Sequence, residues 1–216
     1  MLLHVHPTGE VELVLPRWVS KAVGTSFLKE RHDWIIQMLS SQVSRQGVQQ
    51  PLLLIDGADM PCFGDSLTLS LEIDSKRKKT FIHAAGSDLI VRAPGMASAA
   101  ASIGSWYKKE AQAYYSAQGG EYAKILGFSG LTIRARNMKT QWGSCSQKAK
   151  VLTFNWRLAL GPEPVARYVA AHEVAHLLHP NHSPVFWSTV LKLYPEYEEY
   201  RAWLRKYGGG LYIAKS

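Results

Sequence analysis

The sequence predicts an α+β fold in which a β-rich N-terminal lobe precedes a lobe dominated by helices. Short apolar or alternating segments fill the first 95 residues, whereas apolar residues at helical spacing prevail from about residue 96 onward. The chain has 216 residues, 46% of them hydrophobic, which is enough to bury one core or two closely joined ones. We therefore place a boundary near residue 95, with lobes 1–95 and 96–216, and keep one continuous domain as the alternative.

The N-terminal lobe begins with a predicted β-hairpin, because "LLHVHPTGEVELVLP" alternates apolar and polar residues around a Pro-Thr-Gly-Glu turn. Residues 20–40 then carry apolar side chains at helical spacing behind the N-cap candidate Ser20, and they predict a helix. Three or four short strands follow in "PLLLIDG", "DSLTLSLEID" and "TFIHAAGSDLIVRAP". The basic segment "SKRKKT" is predicted to be a hairpin turn between two of these strands.

The C-terminal lobe begins with a predicted long helix over residues 96–126, in which Gly119 and Gly120 are candidate points of interruption. The segments "LTIRARNM" and "VLTFNWRL" predict strands that enclose "KTQWGSCSQKAK". A histidine-rich helix and two C-terminal helices complete the lobe.

The net charge of +8 arises entirely in the second half of the chain. Residues 1–100 carry ten Lys or Arg and ten Asp or Glu, whereas residues 101–216 carry fifteen against seven. This asymmetry fits a solvated basic face or a surface for an anionic partner such as a nucleotide or a nucleic acid. Arg136 and Lys139, which precede the "WGS" turn, are candidate substrate-binding residues together with Trp142, although solvated surface and core packing are equally open for them.

The two cysteines, Cys62 and Cys145, are too few for a disulfide framework or a thiolate zinc site. The N-terminus has no basic start and no apolar run of signal length, and no stretch approaches the roughly 20 apolar residues of a membrane span. These features predict a soluble cytoplasmic protein without a membrane partner.

Residues 172 to 182 read "HEVAHLLHPNH" within a segment that otherwise predicts an apolar helix. His172 and His176, at positions i and i+4, fall on one face of this helix, and Glu173 lies one step around it. This HExxH arrangement lets two imidazoles bind one zinc ion beside a carboxylate that can transfer protons.

A catalytic zinc site needs a third protein ligand, because three ligands leave one position for water. His179 shares the face of His172 but lies roughly 10.5 Å farther along the axis, which is too far for three imidazoles on one straight helix. Pro180 ends the helix, and the chain then turns back and brings His182 toward the site.

His182 is held between two rigid elements, because Ser183 is a candidate N-cap and Pro184 a first-turn proline of the next helix. We therefore prefer His182 as the third ligand. The alternatives are Glu196 or Glu199, acids about 20 residues farther on, and His179.

The stretches "RNMKTQWGSCSQKAKVLTFNWRLAL" and "YVAAHEVAHLLHPNHSPVFW" carry a resemblance that extends over nearly the whole chain. Their motifs "WGSCS", "NWRL", "YVAAHE" and "NHSPVFW" have the order and spacing of the YgjP-like metallopeptidase domain, which is related to the SprT-like and WLM zinc proteins. The resemblance implies a zincin-like fold, zinc held by His172, His176 and His182, and Glu173 as the catalytic acid and base. It does not imply a substrate.

Motif and resemblance together predict a zinc-dependent hydrolase, with a metallopeptidase acting on unfolded or extended protein segments preferred. The strands that flank "WGSC" offer an edge along which such a segment could pair. One alternative is hydrolysis of a nucleotide phosphoanhydride, with side chains of the basic half holding the phosphates. Another is a DNA-associated or structural zinc module. The same ligands could also bind nickel, manganese or iron.

Overall fold

The computed structural model describes residues 2–5, 11–14, 19, 23, 24, 27 and 52–213. The chain divides into two compact units, Met1–Gln50 and Pro51–Ser216. The first unit contains the predicted hairpin, in which β1 (Leu2–Val5) pairs antiparallel with β2 (Val11–Val14). The helix predicted over residues 20–40 lies largely outside the described residues.

The second unit opens with a four-stranded sheet whose strands are β3 (Asp59–Cys62), β4 (Asp65–Ile73), β5 (Phe81–Ala85) and β6 (Asp88–Ala93). Their order in the sheet is β3-β4-β6-β5, with β4 and β6 parallel and the other pairs antiparallel. Alternate residues of β6 are buried, among them Leu89 and Val91, so one face of the sheet is apolar.

Two of the predictions for this region are wrong. The segment "SKRKKT" does not form a hairpin turn between paired strands, because β6 lies between β4 and β5. The apolar β6, with Leu89 and Val91 fully buried, takes the inner position, and β5, with Phe81 exposed, takes the edge. The described part of "PLLLIDG", residues 52–57, forms no strand, and Leu52 makes an isolated bridge with Ile213.

Helix α1 (Met96–Ile125) runs without interruption through Gly119 and Gly120, contrary to the interruption considered from the sequence. A Cβ atom on Gly119 would lie 3.4 Å from Cδ1 of Ile133 and 3.7 Å from the ring of Phe154. Gly119 therefore lets the helix approach the second sheet closely, and packing outweighs its low helix propensity.

The second sheet contains β7 (Thr132–Arg136), β8 (Gly143–Ser146) and β9 (Val151–Asn155) in the order β7-β9-β8. Strand β9 is parallel to β7 and antiparallel to β8. The elements that follow are a 3-10 helix (Trp156–Leu160), α2 (Glu163–Ala175), α3 (Pro184–Leu193), α4 (Tyr197–Tyr207) and a 3-10 turn (Gly208–Gly210). No helix among the described residues is both long enough and apolar enough to cross a membrane.

The boundary predicted near residue 95 falls inside the second unit, where β6 leads into α1. The first sheet and α1 are joined there by specific contacts. The hydroxyl of Tyr107 donates a hydrogen bond of 2.8 Å to the carbonyl of Pro61, and Phe63 stacks on Tyr114 with ring centres 4.0 Å apart. The sheet of β3 to β6 therefore shares a core with the helices.

Asn155 fixes the loop that leads into β8. It is fully buried, and its amide donates hydrogen bonds to the carbonyls of Met138 (2.8 Å) and Gln141 (3.1 Å). Its backbone N–H donates to the carbonyl of Trp142 at 2.9 Å. Arg157 donates to the same Met138 carbonyl, so residues of "NWRL" hold the segment before "GSCS".

Replacing Asn155 with Ala is expected to destabilise the protein by about 1–3 kcal/mol, because it removes a fully buried amide that donates two hydrogen bonds. The change is measured as the shift in free energy of unfolding in a denaturant titration. Asn137→Ala is the matched control, since Asn137 is exposed and makes no hydrogen bond in the described part of the chain. An equal loss in both variants would remove Asn155 from this role.

Candidate metal centre

Helix α2 carries the first two histidines of the motif. Glu163 lies in its first turn, where a negative charge is favourable, and the helix ends at Ala175 with His176 as its C-cap. One side of α2, including Val169, Ala170 and Val174, is buried in the core. This burial fixes the rotation of the helix and turns the histidine side toward a cleft.

The imidazoles of His172, His176 and His182 converge. Their ring centres lie 4.8–4.9 Å apart in every pair, and their ligand nitrogens all lie within 4.8 Å of one another. Nε2 of His172 is 3.1 Å from Nε2 of His182. No other group of three or more metal-binding side chains occurs among the described residues.

His182 reaches the other two histidines because the chain reverses between α2 and α3. The side chain of Ser183 accepts a hydrogen bond from the backbone N–H of Phe186, and Pro184 occupies the first turn of α3, as the sequence predicted. The ring of Phe186 is fully buried and lies 4.8 Å from that of His182. The turn and the aromatic contact restrict where the imidazole can lie.

Hydrogen bonds determine the tautomer of His176. Its Nδ1 lies 2.9 Å from the carbonyl oxygen of His179, which can only accept, so Nδ1 carries the proton. Nε2 of His176 therefore keeps its lone pair, as a metal ligand requires. The side chain of Gln147 donates to the backbone carbonyl of His176 and supports it from the β8–β9 turn. Nδ1 of His172 is buried and has no hydrogen-bond partner in the described part of the chain.

The alternative third ligands lie elsewhere. Nε2 of His179 lies 3.1 Å from Oγ1 of Thr189, which itself donates to the carbonyl of Val185, so His179 is the donor to Thr189. Glu196 and Glu199 are exposed, and neither belongs to the histidine cluster.

Burial and neighbouring charges keep two of the histidines neutral. Burial lowers the pKa of His172 to about 3, and His176, His182 and Arg201 add to the effect. Burial also lowers the pKa of His182, with His176 and Arg201 contributing. Neutral imidazole is the form that binds a metal ion.

Glu173 lies in a tight space between α2 and β8. It is only 6% exposed, makes no hydrogen bond or ion pair with the described residues, and burial raises its pKa to about 8. A Cβ atom on Gly143 would lie 2.5–2.7 Å from Cγ, Cδ and Oε1 of Glu173. The sequence predicts that Gly143 lies in the "WGS" turn. The structure gives a different reason for the glycine, since its missing side chain leaves the space that Glu173 occupies.

The histidines and Glu173 open into a cleft of about 410 Å³. Residues of the "QWGSCSQ" segment and of the histidine segment line it: Gln141, Gly143, Ser144, Cys145, Gln147, His172, Glu173, His176, Pro180 and His182.

The three candidate substrate residues lie outside this lining. Arg136 and Lys139 are exposed at the end of β7 and beyond it. Trp142 is half-buried, with Gly208 in close contact and the guanidinium carbon of Arg157 5.5 Å from its ring centre. Trp142 therefore packs as part of the structure.

The two edges of the second sheet differ. The side chain of Gln112 covers the β7 edge, donating to the carbonyl of Ile133 and accepting from the N–H of Ala135, both at 2.9 Å. The opposite edge strand, β8, lines the cleft. One edge is thus closed by a side chain, and the edge beside the histidines is open to the cleft.

Aromatic rings form one side of the histidine cluster, which the sequence reasoning missed. Trp187 lies 5.7 Å from both His172 and His182, and Tyr197 stacks on it at 5.4 Å. Arg201 lies above the same indole, with its guanidinium carbon 4.2 Å from the ring centre. The i, i+4 spacing of Tyr197 and Arg201 was the available signal, but it does not show what that helix face contacts.

Three converging imidazoles beside a buried carboxylate form the arrangement of a metal-dependent hydrolase. The chain belongs to the YgjP-like metallopeptidase domain family, which matches residues 1–207. It is therefore a hydrolase of a metallopeptidase family, for which a divalent metal, typically zinc, is implied.

The chain is also similar to two solved metallopeptidase zymogens. For abylysin of Pyrococcus abyssi the identity is 24% and the TM-score 0.39, over 46% of this chain and 99% of that one. For jannalysin of Methanocaldococcus jannaschii the identity is 21% and the TM-score 0.39, over 43% and 94%. The comparison with curated proteins found no match.

Gly143→Ala is expected to destabilise the protein by about 1–3 kcal/mol, because the new methyl group overlaps the Glu173 side chain. The loss should shrink in a Glu173→Ala background, where Cγ, Cδ and Oε1 are gone. A double-mutant cycle on the free energy of unfolding measures this coupling. Gly120→Ala is the control, since its Cβ would meet no atom within 4 Å. Additive effects of the two substitutions would contradict the steric explanation.

Proposed function

We propose that this protein is a zinc-dependent peptidase that cleaves unfolded or extended protein segments. His172, His176 and His182 bind the metal, and Glu173 transfers protons. The observation that carries the proposal is the convergence of three imidazole nitrogens within 4.8 Å beside the buried Glu173.

The donor set suits zinc. A tetrahedral ion with bonds of about 2.1 Å separates its ligand nitrogens by roughly 3.4 Å. The 3.1 Å between Nε2 of His172 and Nε2 of His182 is close to that value. Three nitrogen donors, from α2, its C-cap and the segment before α3, match the three protein ligands that a catalytic zinc site uses.

When bound, zinc supplies Lewis acidity toward a water molecule and a substrate carbonyl. In its ionised form, Glu173 accepts the proton of the attacking water and returns it to the leaving amine. Its carboxylate is suited to this exchange because it makes no competing hydrogen bond with the described residues and lies beside both the cleft and His172. The absence of a Gly143 side chain keeps that position free.

The substrate pairs with the open edge of β8. The N–H of Asn155 bonds to the carbonyl of Trp142, and in an antiparallel pair the bonded positions alternate. Ser144 and Ser146 therefore bond toward β9, whereas the main-chain groups of Gly143 and Cys145 point to the open edge. An extended segment can hydrogen-bond to these groups whatever its sequence.

A peptide substrate is favoured over a phosphoanhydride by the same geometry. The phosphoanhydride alternative relied on the basic half of the chain, and Arg136 and Lys139 do not line the cleft. The strand edge that does line it offers main-chain groups, which match a polypeptide.

Metal analysis tests the ligand set. The purified protein is expected to hold about one zinc per chain, and His182→Ala should lose it. His179→Ala should keep it, because the His179 ring donates to Thr189 instead of binding the metal, and its backbone carbonyl, which accepts from His176, remains in the variant. The measurement is zinc content by plasma mass spectrometry after dialysis. The reverse pattern in the two variants would contradict the proposed ligands.

Peptide cleavage tests the reaction. The zinc-loaded protein is expected to cut unfolded casein, and a chelator should stop it. Glu173→Gln should keep the zinc and lower kcat by a factor of 10² or more, since the amide fills the same space but cannot accept a proton. Cleavage is followed by mass spectrometry, with melting temperature and zinc content as controls. Full turnover by the Gln variant would exclude Glu173 as the proton acceptor.

A further inference from the structure

Arg201 is a cation close to the histidine cluster, and no carboxylate among the described residues pairs with it. It is exposed on α4 and makes no ion pair or hydrogen bond with any of the described residues. Glu198, on the same helix, accepts a hydrogen bond from Tyr197 and does not pair with Arg201. The guanidinium lies over the indole of Trp187, with its carbon 4.2 Å from the ring centre.

This contact holds the guanidinium in a defined place. Tyr197 and Arg201 lie one helical turn apart, and both contact Trp187, so the aromatic ring is held from the α4 side. A guanidinium that packs against an aromatic ring keeps N–H groups available as donors. These groups form a fork that matches the two oxygens of a carboxylate.

Arg201 is also near enough to the reaction site to contact a bound substrate. Its guanidinium carbon lies 4.2 Å from the centre of Trp187, which lies 5.7 Å from the ring centres of His172 and His182. The carbon is therefore within about 10 Å of both imidazoles, or about three residues of an extended chain at 3.3 Å per residue.

We propose that Arg201 forms a subsite for a carboxylate of the substrate, located within about three residues of the scissile bond. The subsite rests on the proposed peptidase function and gives it a preference for acidic segments. The carboxylate comes from an Asp or Glu side chain or from the C-terminus of the peptide. The Trp187 ring beneath the guanidinium positions the charge, and the substrate supplies the missing counter-charge.

The first experiment measures binding without turnover. Cleavage of casein by the wild type identifies a scissile bond, and neutral ten-residue peptides are made around it. Each carries one Glu, or Gln in the matched series, at one of the three positions on either side of the bond. Binding to zinc-loaded Glu173→Gln is measured by titration calorimetry, with amidated and free C-termini compared. We expect the Glu peptide to bind about 3- to 10-fold more tightly than the Gln peptide at one position. This ratio lies between the small effect of an exposed ion pair and the larger effect of a desolvated one.

The second experiment assigns the preference to a residue. Arg201→Gln in the same background should bring the ratio of the affinities for the Glu and Gln peptides close to 1. Arg201→Lys should retain part of the preference, because lysine keeps the positive charge but lacks the paired N–H donors of the guanidinium. Arg205→Gln is the matched control: it removes the same charge from the same exposed helix surface and makes no contact with Trp187 in the structure. It should leave the ratio unchanged. Zinc content and melting temperature are measured for every variant.

The outcomes separate the subsite from the peptidase function. The subsite is overturned if the Glu and Gln peptides bind equally tightly at every position and amidation of the C-terminus has no effect. This holds even if all peptides are cleaved. Equal loss of the ratio in the Arg201 and Arg205 variants overturns it as well, since general charge would then explain the preference. If no casein bond is cut, the peptidase function fails, and the same peptide series built on an arbitrary casein segment still decides the subsite by calorimetry. A dependence on the free C-terminus alone assigns the carboxylate to the chain end.

Discussion

The close approach of Glu173 to the backbone of Gly143 is the contact on which the candidate site depends. The cleft requires a carboxylate beside three imidazoles, and the carboxylate can lie there only if β8 carries no side chain at that point. Strand β8 must in turn be held at one distance from α2. Asn155 holds the segment that enters β8, and the buried face of α2 holds the helix. A shift of a few tenths of an ångström in either element would displace the Glu173 side chain, because closely packed groups leave no free volume around it.

Features set by short stretches of sequence could be predicted. The N-terminal hairpin, the long α1, the Ser183 cap and the two C-terminal helices each follow from local periodicity, turn residues or capping, and each is observed. The spacing of the histidines was equally readable, since helix geometry alone brings His172 and His176 to one face.

Features set by contacts between distant segments could not be predicted in the same way. Strand β6 lies between β4 and β5 because its apolar residues are buried at an inner position of the sheet. Its local sequence does not predict which strands it pairs with. Gly119 and Gly143 each looked like a local break in structure, whereas each is a place where another element comes close. The i, i+4 spacing of Tyr197 and Arg201 could not identify Arg201 as a site residue, because its contact is with Trp187, fourteen positions earlier in the chain.

His179 shows how the turn between α2 and α3 organises the cluster although its imidazole lies outside it. Its carbonyl oxygen fixes the tautomer of His176, and its ring donates to Thr189 of α3. It therefore links the helix that carries two of the imidazoles to the helix that follows the third. A glycine at this position would still supply the carbonyl but would remove the bond to Thr189. The sequence argument from helix rise excluded His179 as a ligand on distance, and the hydrogen bonds give it a different part in the same site. Its carbonyl orients His176 and its ring adds one bond between α2 and α3, whereas the Ser183 cap and Phe186 place His182.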